Sequence, residues 1–127
     1  MTQGSGSLEL PAGGASHLLA YVGHNGLMEL SPGTPAPSEA ETGAKSAVVL
    51  ACASKSYFLD HLQAVGAHPL LLTTGLMAPE AYTLDAAIRS WIADGTTEGV
   101  LEAAAGAYNR YQKCGLNGAR RLFWGEP

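Results

Sequence analysis

Two side chains able to do more than pack stand at equivalent places in this chain. His24 follows the apolar run His17-Leu18-Leu19-Ala20-Tyr21-Val22-Gly23, and Cys52 follows a second one, Ala47-Val48-Val49-Leu50-Ala51. Short continuous apolar runs bounded by turn formers fit strands buried on both faces. In an open parallel sheet, ligands bind where the strand-to-helix loops emerge, at the carboxyl ends of the strands. If the two strands are parallel neighbours about 4.8 Å apart, His24 and Cys52 leave the same end and can approach each other. A histidine so placed can deprotonate the thiol or stabilise the thiolate, which is the nucleophilic species. A helix opening after Cys52 favours the same charge through its dipole, and backbone N–H groups near Gly26 can face a developing oxyanion. These are the parts of a cysteine hydrolase. The competing reading is plainer: Cys52 as a small buried hydrophobe, and His24 in a turn where Asn25 and Gly26 supply positive φ.

The elements that must position these residues follow from the pattern. After Cys52 the period changes, with Phe58, Leu59, Leu62 and Val65 at helical spacing, Ser54 or Ser56 as N-cap and Gly66 as the stop. His68-Pro69-Leu70-Leu71-Leu72-Thr73-Thr74 reads as a third strand, with Pro69 at its start where a missing N–H is tolerated. Pro79 and Glu80 suit the first turn of a helix carrying Leu84, Ile88, Trp91 and Ile92, closed by Asp94-Gly95. Thr96 or Thr97 caps another helix, with Val100, Leu101, Ala104, Tyr108 and Tyr111 as its inner stripe and Gly115 as its stop. Arg120-Arg121-Leu122-Phe123-Trp124 reads as a last helical turn whose aromatics dock on the core or on a partner.

Strands alternating with helices predict an α/β layered fold with a small, mainly parallel sheet and flanking helices. Residues 1–16, rich in Gly and Ser, read as a flexible N-terminal arm, and 17–127 as a single α/β domain. Ser31-Pro32-Gly33-Thr34-Pro35-Ala36-Pro37-Ser38 is an exposed loop, because three prolines exclude both helix and central strand. A sheet of three strands leaves two edges open, and pairing across a homodimer is one way to cover them.

Composition narrows the function classes. The chain has 127 residues, 46% of them hydrophobic and only 14% charged, against about 25% charged in an average domain. That thin coat of charge favours a subunit interface. With seven Lys+Arg and a net charge of −4, the clustered positive charge that nucleic-acid binding needs is lacking. No apolar run approaches the ~20 residues that cross a bilayer, and Met1-Thr2-Gln3-Gly4-Ser5-Gly6-Ser7 has no signal-peptide features, so a cytoplasmic protein is expected. In a reducing cytosol Cys52 and Cys114 are expected to stay free thiols. There is no Cys-x-x-Cys or His-Glu-x-x-His spacing, no phosphate-binding Gly-x-x-x-x-Gly-Lys-Ser/Thr loop and no dinucleotide fingerprint, so no metal or cofactor is expected.

The stretches Leu18-Leu19-Ala20-Tyr21-Val22-Gly23-His24-Asn25-Gly26 and Ala47-Val48-Val49-Leu50-Ala51-Cys52-Ala53-Ser54 resemble the caspase-like cysteine peptidase superfamily, in which an apolar strand ends in His-Gly and a later one in Ala-Cys-x-Ser. The downstream order, Val65-Gly66-Ala67-His68, then Leu70 to Thr74, then Ala81 to Ile92, is similar to a bacterial CHAT domain. The resemblance spans residues 17 to about 110. It implies a three-layer caspase-like sandwich, Cys52 as nucleophile, His24 as its partner, Gly26 as the oxyanion-hole glycine, and a peptide or protein substrate. Two departures stand out: Asn25 separates His24 from Gly26, and the strands that precede the histidine in the family's sheet of about six are missing. Two functions therefore stand side by side: a peptidase-like hydrolase using a Cys52-His24 dyad, and a non-catalytic α/β module acting through homo-oligomerisation or partner binding.

Overall fold

The computed structural model describes residues 16–33 and 45–127. The arm expected over 1–16 lies almost wholly outside the described residues, as does the second half of the Pro-rich loop. The described chain forms β1 (Leu18–Val22), a 3-10 turn (Gly26–Met28), β2 (Ser46–Leu50), α1 (Ser54–Ala64), β3 (His68–Thr73), α2 (Ala81–Ala93), α3 (Thr97–Gln112), α4 (Leu116–Leu122) and β4 (Phe123–Trp124). The fold is α/β, with a small open mixed sheet in the order β1-β2-β3-β4: the first three strands run parallel and β4 antiparallel to β3.

Alternation along β2 separates two cores. Val48 and Leu50 pack with Leu70, Leu71, Val100, Ala104 and Tyr108, against α2 and α3. Val49 and Ala51 turn the other way, with Leu72, to meet Phe58, Leu59 and Leu62 of α1. Both faces of the central strands are thus dry, which is why β2 and β3 read as unbroken apolar runs. β1 departs from its expected burial on both faces, since Leu19 is 56% and Tyr21 48% exposed. In register, Leu19 lies beside Ala47 and Tyr21 beside Val49, on the α1 face. α1 packs over β2 and β3 and leaves the edge strand bare.

The end of the chain also differs from its reading as a helical turn. α4 stops at Leu122, and Phe123 and Trp124 pair with Thr73 and Leu72. Phe123 meets Tyr108 edge-on on one side of the sheet, with ring centroids 5.6 Å apart, while Trp124 packs with the α1 core and lies under Lys55 Nζ at 4.4 Å. Phe123 buried on one side and Trp124 half-buried on the other make a strand, but too short a one to show a period. Gly125 follows because a Cβ there would drive into the Leu70 carbonyl. A bidentate pair ties α4 to α3: Arg120 Nε and Nη2 donate to the Glu102 carboxylate at 2.8 and 3.0 Å. Hydrogen bonding to Arg120 holds the Glu102 carboxyl below its ordinary range, so this tie persists through that range and is lost only as the pH falls beneath it.

Helix starts follow packing more than capping. Thr96 caps α3 as expected, accepting from Gly99 N at 3.0 Å. α2, however, begins at Ala81 with Pro79 and Glu80 outside it, and α3 ends at Gln112, three residues short of Gly115, which instead precedes α4. α1 has no side-chain cap: Ala53 precedes it in the left-handed region (φ 50°, ψ 37°), and Ser54, its first residue, is fully buried. Ser54 Oγ donates to Val49 O and accepts from Thr73 N, both at 2.8 Å, while Ser54 N donates to Thr73 Oγ1 at 3.1 Å. Thr73 Oγ1 in turn donates to the Ala51 carbonyl. This dry reciprocal network joins the ends of β2 and β3 to the start of α1.

Two isosteric substitutions separate a hydroxyl that holds the fold from one that does not. Thr73→Val strands the Ser54 N–H and the Ala51 carbonyl and is expected to cost roughly 2–4 kcal/mol, at ~1–3 kcal/mol for each buried group left unpaired. The equally buried Thr83 hydroxyl has no partner among the described residues, so Thr83→Val is expected to be neutral or stabilising. Urea denaturation midpoints of the two variants are expected to move in opposite directions or, at least, by very different amounts.

Candidate active site

The register of β1 on β2 runs from Leu18↔Ser46 to Val22↔Leu50. Gly23 N donates to Leu50 O at 3.1 Å, which carries the ladder one step past the strand. His24 lies two residues past the end of β1 and Cys52 two past the end of β2, at the same end of the sheet. The expectation that the histidine and the cysteine leave neighbouring parallel strands at the same end is therefore met by the backbone.

Asn25 fastens the two strand ends together. Its side chain is fully buried: Nδ2 donates to the Cys52 carbonyl at 2.7 Å, and Oδ1 accepts from Leu27 N at 3.0 Å, capping the 3-10 turn. Its φ of −82° is an ordinary extended value, and Gly26 is not among the glycines with positive φ. The turn reading, in which these residues supply positive φ, is thus corrected: Asn25 is there for its amide. Gly26 is not required by backbone strain either, and a Cβ on it would meet open space.

Cys52 is half-buried, and its thiol faces the loop after β3. Sγ lies 3.4 Å from both Met77 N, which donates to it, and Met77 O, which accepts from it. Ala53 N donates to Gly75 O at 2.8 Å, so the same loop also grips the residue after the cysteine. A left-handed alanine costs about 1–2 kcal/mol, which the Ser54–Thr73 network on its far side offsets. The turn from β2 into α1 is consequently tight, with the thiol at its apex.

The His24 ring sits apart from the thiol's partners. It is 68% exposed, with Nε2 3.0 Å from Glu29 Oε1, and its carbonyl accepts from Tyr21 Oη at 2.7 Å. So exposed a pair adds little stability but does orient the imidazole. The backbone brings the two residues together; the side chains take different partners, and among the described residues no hydrogen bond joins thiol to imidazole. Beside His24 opens a pocket of about 240 Å³, almost entirely apolar, walled by Tyr21, Gly26, Leu27, Leu30 and Phe58; its lining does not include Cys52.

The remaining candidates are peripheral. His68 lies 3.7 Å from Glu126 and 3.5 Å from Thr97 Oγ1, at the opposite end of β3, and Cys114 is exposed. Neither cysteine is in a disulfide. Among the described residues no three His, Cys, Asp or Glu side chains gather as a metal site would need, and no helix is long and apolar enough to cross a membrane. The residues missed in the sequence are Asn25, Thr73 and Met77. Asn-Gly is a common turn signal that hides a bridging amide, Thr73 looks like the end of an apolar strand, and Met77 acts through its backbone. No family model, curated protein or solved structure matches the chain.

Asn25→Ala leaves both the Cys52 carbonyl and the Leu27 N–H unpaired, and a loss of roughly 2–4 kcal/mol is expected by urea denaturation. In the same variant the Leu27 amide is expected to exchange with solvent faster than in the wild type, by far more than the amides of α3 do.

Proposed function

We propose that this chain is a caspase-like, CHAT-like domain, a small form of the three-layer sandwich, acting as a cysteine-nucleophile hydrolase on peptide bonds. The observation that carries the reading is the Asn25 bridge, which holds the strand end bearing His24 against the one bearing Cys52 in a dry, hydrogen-bonded register. The tight turn after Cys52 and the open space at Gly26 add to it. The reading needs no cofactor and suits a cytoplasmic protein.

In the reaction, the imidazole turns from Glu29 toward the thiol and takes its proton. The thiolate sulfur attacks the carbonyl carbon of the scissile bond, and the carbonyl π electrons move to oxygen. The Gly26 region, free of any side chain, lets the oxyanion approach the backbone. Collapse expels the amine, which takes its proton from the imidazolium and leaves a thioester on Cys52. Water then adds with His24 as base, releasing the acid and restoring the thiol. Glu29, returning to the ring, is a positioning residue.

The second reading, a module that works by self-association, is favoured by one observation: β1 is an edge strand with Leu19 and Tyr21 exposed and no charge along it.

A peptidyl acyloxymethyl ketone tests the first reading, since it alkylates a cysteine only after the site has engaged it as a carbonyl substrate. Intact-protein mass spectrometry is expected to show one adduct, retained in Cys114→Ala, lost in Cys52→Ala and slowed about 100-fold or more in His24→Ala, the usual scale for a general base. Gly26→Ala, which the fold tolerates, is expected to slow labelling without moving the urea midpoint. Labelling of Cys114 alone, or of Cys52 at a rate indifferent to His24, refutes the dyad. A dimer at micromolar concentration by sedimentation, with no labelling, supports the second reading.

A further inference from the structure

The Cys52 thiol turns both of its hydrogen-bonding roles to one residue. As a donor it is met by Met77 O and as an acceptor by Met77 N, each at 3.4 Å. A thiol has one proton, and the His24 imidazole can take it only after Met77 O gives it up. His24 itself is turned to Glu29. The segment that makes the Met77 contact is fixed from several sides. Ala53 N donates to Gly75 O at 2.8 Å, and the Met77 side chain is buried in the core that faces α2 and α3. Just beyond it, Ala78 N donates to Tyr108 Oη and Gln112 Nε2 donates to Glu80 Oε1, both at 3.0 Å. Tyr108 and Gln112 stand about one turn apart on α3, so a single face of that helix sets where the chain runs after Met77.

We infer that the Met77 main chain is an autoinhibitory contact, holding the Cys52 thiol in a resting state away from His24, and that Tyr108 is the positioning residue that sets its strength. The inference rests on the hydrolase reading for its purpose, and adds regulation to that same site. Met77 and His24 compete for one proton, so whatever steadies Met77 disfavours the dyad. The Tyr108 ring is 7% exposed and meets Phe123 edge-on, which delivers its hydroxyl to Ala78 from a fixed place in the core. The Gln112 tie to Glu80 is exposed, and water competes for its groups. Tyr108 therefore links α3, which carries none of the proposed catalytic residues, to the thiol of Cys52. A change in α3 that withdraws the hydroxyl loosens Ala78 and Met77 and releases the thiol to the imidazole.

The test is the rate of Cys52 alkylation by iodoacetamide at neutral pH, in the full chain carrying Cys114→Ala. Tyr108→Phe keeps the ring on Phe123 and removes only the hydroxyl, and is expected to raise the rate about threefold or more, the scale of losing one neutral hydrogen bond. Ala78→Pro removes the same bond from the loop side and is expected to raise it as well, so one poorly folded variant does not blunt the test. Hydrogen exchange at the Met77 amide is expected to quicken in Tyr108→Phe by more than at the Val100 and Ala104 amides of α3, a pattern that a general loss of stability does not give. Adding His24→Ala to Tyr108→Phe separates the two readings. A released thiol that slows without the imidazole supports both, whereas a released thiol indifferent to His24 keeps the autoinhibitory contact and refutes the dyad. An unchanged or lower rate in both Tyr108→Phe and Ala78→Pro overturns the inference, as does a rise matched by an equal quickening of exchange throughout α3.

Discussion

A single buried hydrogen bond, from Asn25 Nδ2 to the carbonyl of Cys52, decides how the carboxyl end of this sheet is arranged. A strand end frays into loop wherever the backbone groups beyond it lack partners, and here the carbonyl of Cys52, two residues past the end of β2, is taken up by a side chain from the loop after β1. Because Asn25 also caps the 3-10 turn that follows it, the loop after β1 has a fixed shape and a fixed distance to the cysteine. Fully buried, the amide competes with no water, and losing it leaves two groups unpaired together. The positions of His24, Gly26 and the apolar pocket all follow from that one clasp.

On the other side of Cys52 the fastening is made by hydroxyls. Ser54 and Thr73 exchange backbone and side-chain bonds across the ends of β2 and β3, and the Gly75–Met77 loop closes over the cysteine. The price is a left-handed alanine between thiol and helix, strain stored at the one position where a small, sharp turn is most useful. On this backbone frame the two side chains take separate partners: the thiol rests on Met77 and the imidazole on Glu29.

Much of the frame was legible in the sequence. The continuous apolar runs of β2 and β3 and the helical spacing of Phe58 to Leu62, Leu84 to Trp91 and Val100 to Tyr108 gave the alternation of elements, because burial on both faces and on one face leave different periods. The exposure of β1 was not legible, since its residues resemble those of β2 and only sheet position tells an edge from a centre. β4 was hidden by having two residues. Asn25 was hidden because its task is a contact made 27 residues away, while the local Asn-Gly pair has a sufficient explanation of its own. The position of Ser54, like that of Ser56, suggests a helix cap, and the network that buries Ser54 depends on Thr73, which no local pattern links to it.

In the proposed hydrolase His24 and Cys52 act as one chemical unit. This is tested most directly by the rate of Cys52 alkylation with iodoacetamide as a function of pH in a Cys114→Ala background, with and without His24→Ala. Removing the imidazole is expected to lower the rate near neutral pH and to alter the shape of the pH profile. Identical profiles, with a thiol of ordinary reactivity in both proteins, would contradict it and leave the clasp as a purely structural device.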